Sequence, residues 1–81
     1  MNVRVRLFAA AKQAAGRDML DLELPEGATV GQLRVRLERE IPLLAGLMRR
    51  AAFAVDAEYA TDARQIAPGA DVACIPPVSG G

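Results

Sequence analysis

Residues 29–41 read Thr29-Val30-Gly31-Gln32-Leu33-Arg34-Val35-Arg36-Leu37-Glu38-Arg39-Glu40-Ile41. Thr29 and Gln32 stand at the spacing of a capping box, in which each side chain meets the other residue's backbone N–H. Val30, Leu33, Leu37 and Ile41 then recur at helical intervals, so the stretch predicts a helix with one apolar stripe. Arg34, Glu38, Arg39 and Glu40 fall on its other faces. Arg34–Glu38 and Arg36–Glu40 are opposite charges four residues apart, a spacing that supports a helix by a few tenths of a kcal/mol per pair. Pro42 ends the helix near Glu40 or Ile41, because the residue before a proline is pushed toward extended angles. A helix with a single apolar stripe needs a second layer to bury it.

That layer is written on both sides of the helix with a period of two. Upstream, Val3, Val5 and Leu7 alternate with Arg4 and Arg6 across Asn2 to Phe8, the pattern of a half-buried strand. Ala9 to Ala15 is alanine-rich, a loop or a single helical turn closed by Gly16. Leu20, Leu22 and Leu24 alternate with Asp21 and Glu23 as a second strand, and Pro25-Glu26-Gly27 turns the chain into the helix. Downstream, Leu43 to Arg50 reads as a loop with one helical turn. Phe53-Ala54-Val55 is a short strand, Asp56-Ala57-Glu58 its turn, and Tyr59-Ala60 a candidate partner strand. After Ile66 and the turn Ala67-Pro68-Gly69-Ala70, residues Asp71 to Ile75 form the last strand. The order β-β-α-β-β-β, which also suits other small α+β folds, fits an α+β β-grasp: a mixed sheet of four to five strands around one main helix, with the first and last strands parallel at its centre.

An 81-residue chain has room for one core. We read residues 1–75 as the domain and 76–81 as a tail. With 52% hydrophobic residues but only 4% aromatic, that core is built from Leu, Val, Ile, Ala and Met. Ten basic residues, nine Arg and Lys12, balance ten acidic ones. No net field favours nucleic acid or an anionic membrane, so neither is expected as a partner. There is no histidine. That removes the commonest general base and every Ser-His or Cys-His pair. The single cysteine, Cys74, excludes an internal disulfide and is read as a small buried apolar residue. Asp56, Glu58 and Asp62 lack calcium-loop spacing and are read as a solvated turn, so no metal is expected. Lys12 and the arginines are read as a solvated face, with Arg4, Arg6 and Lys12 also placed to meet acidic residues on a partner. With no apolar run of membrane-spanning length and no signal-peptide pattern after Met1, a cytoplasmic location is expected.

The last six residues are Pro76-Pro77-Val78-Ser79-Gly80-Gly81. Two prolines stiffen the segment by fixing φ, and the glycine pair has no Cβ to obstruct a narrow channel. Six extended residues reach roughly 20 Å. What such a tail presents is the α-carboxylate of Gly81.

The chain resembles the molybdopterin synthase small subunits, a ubiquitin-like family of sulfur carriers. The likeness runs through Val3-Arg4-Val5-Arg6-Leu7-Phe8-Ala9, Gly16, Thr29-Val30-Gly31-Gln32-Leu33 and Phe53-Ala54-Val55-Asp56. Its specific part is the ending, Val72-Ala73-Cys74-Ile75 followed by the six tail residues. The family commonly has Asn where Asp56 stands and aromatic residues where Cys74 and Ile75 stand. The resemblance implies that a ubiquitin-activating-type adenylyltransferase consumes ATP to form an adenylate on Gly81. A sulfur donor then leaves a thiocarboxylate, and the tail delivers that sulfur inside the large catalytic subunit to a cyclic pterin monophosphate, building the molybdopterin dithiolene. No cofactor is expected on this chain, which has no phosphate-binding loop, and ATP belongs to the activating enzyme.

On this reading Gly81 carries the reacting carbon and Gly80 keeps the path clear. Ser79 and Val78 anchor the tail or merely space it. Pro76 and Pro77 lower the entropy lost on docking. Phe8 and Ile75 are expected to flank the exit and meet the partner. Three other uses remain open: a protein modifier joined through Gly81 to target lysines, a carrier for thiazole or tRNA thiolation, and a ubiquitin-like interaction module with an inert tail.

Overall fold

The strand at the middle of the sheet is the last one among the described residues, and its placement organises everything else. In a computed structural model, which describes residues 1–77, the elements follow as β1 (Asn2–Leu7), α1 (Ala9–Ala15), β2 (Met19–Glu23), α2 (Val30–Glu40), a 3-10 turn at Pro42–Leu44, α3 (Ala45–Met48), β3 (Ala52–Val55), β4 (Glu58–Ala60) and β5 (Val72–Ile75). The five strands form one sheet in the order β2-β1-β5-β3-β4. β1 and β5 are parallel, with Val5, Arg6 and Leu7 opposite Val72, Ala73 and Cys74. The other pairs are antiparallel. This is the expected β-grasp, with the first and last strands side by side.

Alternation along the strands decides which side chains enter the core. Val3, Val5 and Leu7 from β1, Phe53 and Val55 from β3, and Val72 and Cys74 from β5 are buried on one face. Val30, Leu33 and Leu37 of α2 pack there, and Ile66 joins the same core. The capping box forms in full: the Gln32 N–H donates to Thr29 Oγ1 at 3.2 Å and the Thr29 N–H to Gln32 Oε1 at 2.8 Å. The next two amides of α2 are satisfied by a distant loop, Val30 N donating to Arg64 O and Gly31 N to Asp62 O. That loop lies so close that a Cβ on Gly31 would sit 3.2 Å from Asp62 Cβ, which explains a glycine in the first turn.

Three local expectations change. Ala9–Ala15 is a full α-helix, closed where Gly16 at φ 74° lets its N–H reach Lys12 O. Residues 42–50 hold two short helical segments rather than a loop with one turn, because Leu44 and Met48 are fully buried under α2. Arg34 does not pair with Glu38; its guanidinium turns to Asp62 at 2.9 Å instead, while the Arg36–Glu40 pair forms at 2.8 Å.

Candidate functional site

β5 ends at Ile75 and hands the chain directly to Pro76 and Pro77. Because β5 is central, the tail base emerges from the middle of the sheet rather than from an edge. Leu7 and Cys74 face each other and both point into the core, so the next residues, Phe8 and Ile75, fall together on the outer face. The Phe8 N–H donates to Cys74 O at 3.3 Å, locking the two strands at that point. Phe8 is 46% exposed, and Ile75 is half-buried. With Ala9, Gln13, Pro76 and Pro77 they line an open groove of about 420 Å³. The two expected flanking residues are therefore brought together at the tail base. Val78, Ser79, Gly80 and Gly81 lie outside the described residues.

The register extends this patch in a way the sequence reading missed. Tyr59 is opposite Ala54, Ala54 opposite Ala73, Ala73 opposite Arg6, and Arg6 opposite Met19. Directly opposed residues share a face, so this row crosses the outer surface one step from Phe8 and Ile75. Its alanines are small, and Tyr59 at its edge is 76% exposed. The signal was present in the alternation, since Tyr59 sits between Glu58 and Ala60 in a strand whose inner face belongs to Ala60, but only the pairing shows which row it joins.

Charges frame the patch. Arg4 pairs with Asp21 at 3.0 Å and Arg6 with Asp71 at 3.2 Å, both in solvent. The hydrogen bond from Arg4 lowers the Asp21 carboxyl below its usual range, although exposed pairs of this kind stabilise little. Lys12, on α1, borders a second hollow of about 340 Å³ that shares Phe8 and Ala9 with the tail-base groove.

The remaining candidates are used inside the fold. Cys74 is fully buried, and that burial pushes its thiol up to about 11, which leaves it protonated and unreactive at neutral pH. Asp56 accepts a hydrogen bond from the Asp71 N–H at 3.0 Å, and Asp62 holds Arg34. Among the described residues no three Cys, Asp or Glu side chains converge as metal donors, and no helix is long and apolar enough to cross a membrane.

A mixed five-stranded sheet folded around one main helix, with Pro76 and Pro77 following directly from its central strand, defines a ubiquitin-like β-grasp protein. The ThiS family pattern matches residues 5–81, and the chain belongs to the ThiS family. It is similar to the molybdopterin synthase sulfur carrier subunit of Chlamydomonas reinhardtii, 34% identical over 83 residues that cover the whole of both chains. The subunit of that name from Arabidopsis thaliana is 32% identical over 81 residues, covering all of this chain and 84% of the other. Among solved structures, SAMP1 of Haloferax volcanii, a small archaeal modifier protein, superposes with a TM-score of 0.85 at 26% identity across the full length of both chains.

Proposed function

We propose that this chain is the sulfur carrier subunit of a molybdopterin synthase, with Gly81 as the reacting residue. One observation carries the reading: a curated relative of that name aligns with the chain from end to end, so likeness extends through the tail as well as the domain. The position of the tail base supports it, since a segment leaving the centre of a sheet beside an exposed aromatic can enter a partner while the sheet face docks.

The chemistry divides between chains. A carboxylate is a poor acyl donor, so a Gly81 oxygen attacks the α-phosphorus of ATP on an adenylyltransferase and pyrophosphate leaves. Hydrosulfide supplied by the donor then attacks the glycyl carbon: the C–S bond forms, the bond from carbon to the phosphate oxygen breaks, and AMP leaves with the electron pair, giving the thiocarboxylate. In the large catalytic subunit that sulfur passes to a cyclic pterin monophosphate. This chain binds no cofactor and supplies no acid or base. Pro76 and Pro77 limit the freedom lost as the tail inserts. Gly80 leaves space around the reacting carbon, and Val78 and Ser79 hold or space it.

The test is intact mass. Incubated with the activating enzyme, ATP and a sulfur donor, the chain should exchange one oxygen for sulfur at Gly81, and the exchange should reverse when large subunit and pterin are added. A chain lacking Gly81 should unfold at the same temperature yet accept no sulfur, since chain ends contribute little to stability. Sulfur transfer retained by that truncated chain would refute the proposal. The likeness to SAMP1 favours a second use of the same glycine, as a modifier. Isopeptide conjugates to other proteins, in place of a thiocarboxylate, would establish it.

A further inference from the structure

An activated Gly81 is an acyl donor, and it must coexist with the nitrogen and sulfur nucleophiles of its own chain. Nine of the ten basic residues are arginines, whose guanidinium groups stay protonated and do not accept acyl groups. Two amines remain, the N-terminus and Lys12. The Met1 ammonium donates to Leu24 O at 2.7 Å and lies 3.6 Å from Glu23 Oε2, tied to the end of β2. The Cys74 thiol is fully buried. Lys12 lies on α1 with its side chain exposed, and it makes no ion pair among the described residues. It also borders the hollow that shares Phe8 and Ala9 with the tail-base groove, so it stands on the side of the molecule from which the tail leaves.

We propose that Lys12 is the self-modification site of this protein, the one amine on the chain that takes the activated glycyl group of a C-terminal tail. The assignment rests on the reading of Gly81 as an adenylated residue. In the step, Lys12 Nζ attacks the glycyl carbonyl carbon of the adenylate. The C–N bond forms, the bond from carbon to the phosphate oxygen breaks, AMP leaves with the electron pair, and the nitrogen sheds its proton to solvent. No oxidant or reductant is involved. The same chemistry can draw on a second copy, giving a dimer, or on the molecule's own tail, giving a closed loop. Either product places a covalent segment beside Phe8 and removes a positive charge there.

The experiment uses the full chain with the activating enzyme and ATP, and no sulfur donor. ATP–pyrophosphate exchange reports adenylation independently of any linkage. The expected result is a species stable to reductant and denaturant, either a dimer or a monomer lighter by one water, with a tryptic branch joining Lys12 to residues 65–81. Lys12→Arg should lose that species while exchange continues. Exchange without linkage in the wild-type chain, or linkage that persists in Lys12→Arg or maps to Met1, overturns the assignment. Absence of exchange overturns the adenylation reading, and the assignment with it.

Discussion

Cys74 shows how one side chain can be excluded from chemistry by its position. It occupies an inward site on the central strand, opposite Phe53 and Leu7, with no exposed surface. A thiolate there would lose its hydration, so burial raises the thiol from 9.0 to about 11, against a small opposing influence from the Arg34 charge. The sign of the linkage follows. The folded pKa is the higher one, so this contribution is fully present below about pH 9 and is lost as the pH rises toward about 11. A two-unit difference corresponds to about 3 kcal/mol at most. Urea midpoints measured from pH 8 to pH 11 should therefore fall more steeply for the native chain than for Cys74→Ala, once the constant loss from truncation is subtracted. Parallel curves would show that the thiol ionises without penalty. In the folded protein below pH 9, thiol reagents should label Cys74 only at the rate of unfolding. The hairpin carries a different residue-scale cost. Asp56 and Ala57 both have positive φ, 51° and 67°, as a two-residue turn between right-twisted strands requires, and Ala57 bears it without the glycine usual there.

At the scale of elements, Arg34 fastens α2 to three stretches of chain outside its own helix. Its guanidinium donates to Met48 O and to Ala51 O, the latter at 2.8 Å, and to Asp62 Oδ1 at 2.9 Å, while its carbon lies 4.9 Å from the centre of the Phe53 ring. One planar fork thus joins the end of α3, the entry to β3 and the loop after β4. Replacing it by methionine keeps the stem but leaves carbonyls in a partly buried site without donors, a loss of about 2–3 kcal/mol. Arg34→Lys should recover only part of that, because a single ammonium cannot span the same acceptors. Urea unfolding of both variants is the measurement, and midpoints equal to the native chain would show the clamp to be redundant. The same residue marks the boundary of what the sequence reveals. The cap at Thr29 and Gln32 and the stripe from Val30 to Leu37 were legible because their partners lie three and four residues apart. The partners of Arg34 lie 14, 17 and 28 residues away. Periodicity carries no record of them, and the expected pairing with Glu38 failed for that reason. The helix at Ala9–Ala15 was hidden differently: a run of alanines has no contrast between faces, and only Ala11 is fully buried. Phe8 and Ile75 were legible as neighbours because strand alternation and a parallel β1–β5 pairing place them together. Tyr59 was not, since its row depends on two further registers.

Across the whole molecule, topology gathers these local features on one face of the sheet. Making the last strand central places the tail base in the middle of the sheet, and alternation then puts Phe8 and Ile75 beside it with Tyr59 farther across. Small side chains at Ala52, Ala54 and Ala73 keep the ground between them low. A partner that receives the tail can therefore close over a broad apolar surface anchored by two aromatics. If that is how the large subunit binds, the anchors should matter to affinity and not to folding. Phe8→Ala and Tyr59→Ala each remove an aromatic that is largely or half in solvent, so unfolding midpoints should shift by less than about 1 kcal/mol. Truncating a central aromatic anchor weakens association by about 2 kcal/mol, roughly thirtyfold. Calorimetric titration of the large subunit with the native chain and each variant measures the difference, and thermal unfolding of the free chains measures the other half. A loss near 3 kcal/mol in stability with unchanged affinity would instead make Phe8 part of the core. A loss confined to Phe8 would limit the face to the tail base and remove Tyr59 from it.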